Sequence, residues 1–204
     1  MDRGHAALKR PCIDRGFDFT EHIRRLSGDM VGRLPELAHI DLRRVAFSFA
    51  QARKRVDHGM QASLTPMRFE QGSLTTFRRG RSWTVQRLLD DAGTEMLYIL
   101  TLYLPRFMDQ PFDEKIATVL HELWHISPKF DGDIRRHAGR CYAHSSSQAA
   151  YDAQVDRLVA SWRSLDPPES LFAFLRLDFD DLQRRHGSVY GQRVSTPKLI
   201  PVDC

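Results

Sequence analysis

The chain has 204 residues, of which 42% are hydrophobic and 27% are charged. This size and balance favour one globular domain that buries its own core. The longest apolar run, Met96 to Leu104, is far shorter than the roughly 20 residues that a membrane helix needs. The N-terminus carries a charge every few residues, where a secretory signal would be apolar. We therefore expect a cytoplasmic protein with no membrane segment.

Three widely spaced cysteines, Cys12, Cys141 and Cys204, exclude a disulfide framework and a zinc ribbon. The net charge of +4 is uneven, because residues 1–90 hold 17 Lys and Arg against 10 Asp and Glu. A basic N-terminal half could attract nucleic acid or another polyanion. Solvated basic faces are the simpler interpretation.

The first predicted segment is a flexible leader over residues 1–17, in which apolar residues show no regular spacing. Helical spacing then predicts an amphipathic helix from Thr20 to Leu34, with Thr20 or Asp18 as its N-cap. A period of two predicts a half-buried strand from Arg44 to Ala52.

Three further strands are predicted before the middle of the chain. Ala62 to Phe69 reads as a strand that Pro66 places towards a sheet edge. Thr75 to Val85 is a weaker candidate with alternating arginines. Met96 to Leu104 is apolar on both faces, which is typical of a fully buried strand.

The second half is predicted to be helical. Pro111 and the acids Asp113 and Glu114 mark the start of a helix through KIATVLHELWHI, which Ser127 and Pro128 end. Helical patterns follow over residues 134–165 and 170–185. The resulting division is a leader over 1–17, a single domain over 18–187 and an extended tail over 188–204.

His121, Glu122 and His125 form the motif HExxH within the predicted helix. Residues four apart lie on one helix face, so both imidazoles can bind one zinc ion. Glu122 is offset along the helix, beside the open coordination position, where it can act as general base on the attacking water. The motif predicts a zinc-dependent hydrolase with one Zn²⁺ per chain.

A catalytic zinc site needs a third protein ligand. His137 is the favoured candidate, since it follows the turn at Asp131 and Gly132 that can bring a second element back beside the first. His144, Asp131 and Asp133 remain alternatives, and Cys141 reads as a small buried residue.

Several nearby side chains could assist the reaction. Arg135, Arg136 or Arg140 could stabilise an oxyanion, and Tyr142 or Tyr151 could donate a hydrogen bond to it. Solvated helix charges and core-rim tyrosines are the simpler interpretations.

The segment containing HELWHI and GDIRRH resembles the HExxH zinc metallopeptidases of bacteria and phages, a zincin-like group distantly related to SprT-type proteases. The resemblance covers roughly residues 40–165. It implies a small mixed β-sheet packed against the HExxH helix and further C-terminal helices, with extended peptides pairing with a sheet edge. It also implies zinc on His121, His125 and His137, with Glu122 as the base. The third histidine of the metzincin pattern is absent, because position 131 is Asp, and so is the zinc ribbon of SprT-type proteins.

The expected function is therefore that of an α+β zinc metallopeptidase acting on peptide or protein substrates. The alternative is a zincin-fold binding module, for nucleic acid or a protein partner, with weak or no hydrolysis. The intact Glu122 favours the enzyme.

Overall fold

The computed structural model describes residues 6–7, 16–52, 59–136 and 148–202. These residues form a mixture of helices and short strands, which confirms the predicted α+β class. The α-helices are α1 (Phe19–Arg33), α2 (Phe112–Trp124), α3 (Gln148–Ser164) and α4 (Phe179–His186). The strands are β1 (Ala6–Ala7), β2 (Phe17–Asp18), β3 (Val45–Gln51), β4 (Ala62–Pro66), β5 (Thr75–Arg78), β6 (Arg81–Val85), β7 (Leu88–Leu89), β8 (Tyr98–Leu104), β9 (Val189–Tyr190) and β10 (Leu199–Val202). None of the described helices is long and apolar enough to cross a membrane.

The sheet that positions the site is three-stranded and mixed. Its centre is β8, which pairs with β3 in parallel and with β4 antiparallel. Most of β8 is buried, as its apolar sequence predicts for a strand covered on both faces. The strand β4 lies at the edge, where the sequence placed it because of Pro66.

Two apolar clusters cover the two faces of this sheet. The larger one joins α1, α2 and α3 to the face that carries Phe47, Leu100 and Leu102. The smaller one, built around Ala46 and Ile99, covers the opposite face. Helix α2 is therefore held between the sheet and α3.

The predicted first helix is found within one residue of its expected bounds. Asp18, one of the two predicted caps, accepts a hydrogen bond from the backbone N–H of Glu21 at 3.0 Å. This carboxylate satisfies one of the backbone donors that a helix N-terminus leaves unpaired.

Three predicted elements are corrected. The single strand expected over residues 75–85 is a hairpin, because the chain turns at Arg79 and Gly80. Residues 134–136 are not helical, since Ile134 bridges to Ile126, so the helix expected from 134 is described only from Gln148. The helix expected over residues 170–185 is two short 3-10 turns followed by α4, because Asp178 caps a new helix start.

Both ends of the described chain pair with distant strands. In the predicted leader, Ala6–Ala7 pair with β7, while residues 1–5 and 8–15 lie outside the described part of the chain. In the predicted tail, β9 pairs with β2 and β10 pairs with β6.

Lys115 connects α2 to the C-terminal elements. Its side chain is buried, and Nζ donates to the carbonyl oxygens of Leu175 at 2.9 Å and Leu177 at 2.7 Å. Burial lowers the pKa of Lys115 to about 8, although the charges of Asp109 and Asp178 oppose the shift. The neutral amine still has the two N–H groups that these carbonyls need.

Replacing Lys115 by Met should lower the free energy of unfolding by about 1–3 kcal/mol, because both carbonyls lose their donor. The loss should grow as pH rises from about 8 towards the ordinary value of 10.5. In that window the unfolded chain binds a proton that the folded chain has released, so raising pH stabilises the wild type alone. Urea unfolding at both ends of the window measures this. Lys129→Met, at an exposed lysine, should show neither effect.

Candidate metal centre

The two motif histidines lie at the C-terminal end of α2. His121 is in its last turn, and His125 is the C-cap with helical backbone angles. Their Nε2 atoms are 3.0 Å apart. Two imidazole ligands of a tetrahedral zinc ion, each at 2.0–2.1 Å, hold their nitrogens about 3.3 Å apart. The pair therefore fits a shared metal ion with little movement.

Glu122 is buried between α2 and the edge strand, with 7% of its surface exposed. Burial raises the pKa of its carboxyl to about 7, and a hydrogen bond from the backbone N–H of Leu64 opposes the shift. Such a carboxyl can change its protonation state near neutral pH, which acid–base chemistry requires.

The hydrogen-bond register of β4 explains why Leu64 reaches Glu122. The N–H of Tyr103 donates to the carbonyl of Gln61, and the N–H of Met67 donates to that of Leu97. In an antiparallel pair the bonded residues alternate, so the odd-numbered residues of β4 bond to β8. The backbone groups of Ala62 and Leu64 are therefore directed away from β8, towards α2.

A cleft of about 680 Å³ contains all three motif side chains. One wall is residues 59–64, the floor is α2 and the opposite wall is α3. The charged side chains that line it, within the described chain, are the acids Glu114, Glu122, Asp152 and Asp156. The cleft is thus acidic in a chain whose formal net charge is +4.

Tyr151 of α3 packs on both histidines. Its ring is 4.8 Å from that of His121 and 5.1 Å from that of His125, centroid to centroid. Its hydroxyl donates to the backbone carbonyl of His121 at 3.2 Å. Burial raises the pKa of Tyr151 far above its ordinary value, so the phenol stays protonated as a donor. These contacts restrict the rotation of both imidazoles.

After α2 the chain forms a closed loop and returns to the helix end. Ile126 bridges to Ile134, and the N–H of Arg135 donates to the carbonyl of His125 at 2.7 Å. The guanidinium of Arg135 lies 3.6 Å from the Trp124 ring centroid and donates to the Trp124 carbonyl. The loop thus returns the chain, at Arg135, to the end of α2 that carries His125.

Asp133 and Tyr98 hold this loop in shape. The buried Asp133 carboxylate accepts from the backbone N–H groups of Gln71 and Ile134 and from the guanidinium of Arg136. The buried Tyr98 hydroxyl accepts from Gly132 N–H at 3.0 Å and donates to the Asp133 carbonyl at 2.9 Å. Each of these polar groups in the turn therefore has a hydrogen-bond partner.

The structure thus brings His121, Glu122 and His125 together in one cleft. The predicted third ligand His137, the alternative His144 and Cys141 lie outside the described residues, as do Arg140 and Tyr142. The carboxylate alternatives are part of the loop, since Asp131 accepts from the Asp133 N–H. Among the described residues, no group of three or more His, Cys, Asp or Glu could hold a metal ion.

Two contributors were not assigned from sequence. The hydrogen bond from Leu64 depends on strand register, which no local pattern reveals. The sequence offers Tyr151 as an oxyanion donor, whereas its described hydroxyl contact is with the main chain of α2. The sequence signal for it was only an aromatic residue on a helix after the motif.

Comparison of the chain with protein-family models, curated proteins and solved structures found no significant match.

Replacing Tyr98 by Phe should lower the free energy of unfolding by about 1–3 kcal/mol, because Gly132 N–H and the Asp133 carbonyl lose a buried partner. Tyr103→Phe, on the same strand, is the matched control, since its hydroxyl contacts only Ser63 Oγ at 3.3 Å among the described contacts. Urea unfolding of both variants measures the difference. Equal losses would contradict the role assigned to Tyr98.

Proposed function

We propose that the chain is a zinc-dependent metallopeptidase with a zincin-like fold, in which Glu122 acts as the general base. The observation that carries the proposal is the arrangement of His121, Glu122 and His125 in one cleft, with paired imidazole nitrogens and a buried carboxyl beside a sheet edge. The HExxH helix lies beside the edge strand of a mixed sheet, and this arrangement supports the resemblance to the HExxH peptidases of bacteria and phages.

His121 and His125 would bind the zinc ion, and His137 is proposed as the third protein ligand. Arg135 is hydrogen-bonded to the carbonyl of His125. Two further residues of extended chain span at most about 7 Å, so the length of chain after Arg135 allows His137 to act as a ligand at that helix end. When bound, zinc would polarise the substrate carbonyl and lower the pKa of the attacking water.

Glu122 would remove a proton from the attacking water and later deliver it to the amine that leaves. Burial raises the pKa of this carboxyl and the charge of a bound zinc ion would lower it, so the two effects oppose each other at the group that must take and return the proton. The N–H of Leu64 would keep the carboxylate oriented through both steps.

An extended peptide would bind along β4. The backbone groups of Ala62 face the cleft, and an added strand could bond to them. Tyr151 would keep the two imidazoles oriented from the side opposite β4. The proposed activity is hydrolysis of a peptide bond held between the edge strand and α2.

The first experiment is zinc stoichiometry by elemental analysis after dialysis against a weak chelator. The wild type should hold one zinc per chain. His121→Ala and His137→Ala should lose it, because each removes a ligand, whereas His144→Ala should keep it. Wild-type protein without zinc would contradict the proposal. Zinc lost from His121→Ala and His144→Ala but kept in His137→Ala would reassign the third ligand to His144.

Glu122→Gln should keep the zinc and lower peptide hydrolysis by roughly 10²-fold or more, because the general base is removed while the ligands remain. The measurement is cleavage of a quenched fluorescent peptide library. Glu114→Gln, an exposed carboxylate that lines the same cleft, is the matched control and should stay near wild-type activity. Equal activity of Glu122→Gln and wild type would exclude this mechanism.

A further inference from the structure

The β5–β6 hairpin carries exposed basic side chains away from the cleft. Arg78, Arg79 and Arg81 are exposed, and no described ion pair or other described interaction involves their side chains. By contrast, Arg68 and Arg87 both bind the carboxylate of Glu95. No acidic residue occurs between positions 71 and 89. The hairpin end is therefore a local excess of positive charge.

The turn of this hairpin has an arginine at a position whose backbone angles disfavour a long side chain. Arg79 and Gly80 form the two-residue connection, with φ angles of 51° and 74°. Hairpin turns with two positive φ angles favour Asn or Asp followed by Gly, because a larger side chain is strained there. A position that departs from local preference often serves function instead of folding. The stability of the turn therefore gives no reason for an arginine at position 79.

Aromatic and apolar residues lie directly behind the arginines. Phe77 is 72% exposed and Leu74 is 61% exposed. Trp83 is half-buried, and its indole N–H donates to the Arg78 carbonyl at 3.1 Å, which holds it in place. The strand register puts Trp83 on the same sheet face as Arg78 and Arg81, while Phe77 projects from the other face.

We propose that the β5–β6 hairpin binds single-stranded nucleic acid across β5, which is the edge strand of its described sheet. The three arginines would contact phosphates at the turn and on one face, and Phe77 would stack on a base at the other face. Cationic side chains interleaved with exposed aromatic rings are the usual means of holding a single strand without reading its sequence. This function goes beyond the proposed peptidase and does not depend on it, because none of these residues lines the cleft.

Charge and geometry favour this partner over a membrane or the cleft itself. At the hairpin end the most distal residues are the arginines, and the apolar side chains lie behind them. Inserting Phe77 into a lipid bilayer would therefore bury charge before it buried the ring. The acidic lining of the cleft repels phosphates, so a polyanion would be kept at the hairpin.

The test is fluorescence anisotropy of the full-length chain with a labelled oligothymidylate, over a salt series. The wild type should bind, and log affinity should fall linearly with log salt. The triple variant Arg78→Gln, Arg79→Asn, Arg81→Gln should reduce that slope by about 2, because each lost phosphate contact on a single strand contributes about 0.7. The matched control changes three exposed arginines elsewhere to Gln, namely Arg25, Arg157 and Arg185. It removes the same charge and should keep most of the slope.

Two single variants separate binding from folding. Arg79→Asn should weaken binding without lowering the melting temperature, since Asn suits the turn better. Phe77→Ala should weaken binding about fivefold or more with an unchanged salt slope, because stacking is lost and no charge is removed. A duplex of the same sequence should bind more weakly than the single strand.

The proposal fails if the wild type does not bind at low salt, or if the control triple variant loses as much affinity as the hairpin triple variant. Equal binding of duplex and single strand would also overturn it. Phe77-dependent binding to anionic lipid vesicles without oligonucleotide binding would assign the hairpin to membranes instead. Zinc and Glu122 are not needed for any of these measurements, so failure of the peptidase proposal would leave the result unchanged.

Discussion

The contact between α2 and β4 at Glu122 fixes the rest of the site. A carboxyl with 7% of its surface exposed needs a hydrogen-bond donor, and the N–H of Leu64 supplies one because the register of β4 directs it away from β8. That bond sets which face of α2 meets the sheet edge. His121 and His125 then line the cleft, since they lie one and three residues away on a helix whose rotation is fixed. A one-residue slip of β4 would turn the N–H groups of Ala62 and Leu64 towards β8 and leave the carboxyl without this donor.

Sequence patterns predicted the structure best where the spacing of apolar residues matches the positions that are buried. The helix α1, the strands β3 and β8 and the edge position of β4 follow from hydrophobic spacing and one proline. The patterns failed where a short local interaction outweighs the period, as at Asp178, which begins a new helix inside an apolar stretch, and at Arg79, which turns a strand into a hairpin. For the site, spacing alone paired His121 with His125 and identified Glu122. Leu64 and Tyr151 could not be assigned, because their contacts come from tertiary packing between segments far apart in sequence.

Charge separation along the sequence has a counterpart in space. The excess of basic residues before position 90 includes the hairpin arginines, and the acids of the cleft come mainly from α2 and α3 in the second half. The two regions therefore carry charge of opposite sign, and a field of one sign concentrates ligands of the other. The low net charge of the whole chain is therefore compatible with an acidic cleft and a basic hairpin on the same molecule.

The pairing of β10 with β6 joins the end of the described chain to its first half. During synthesis, β6 has no outer partner until residues 199–202 have left the ribosome, although β5 is ready at once. Contacts between segments so distant in sequence form late, because the intervening chain must first be ordered. The β5–β6 hairpin can therefore form before its sheet is complete, and until residues 199–202 are made the nascent chain has an open edge at β6.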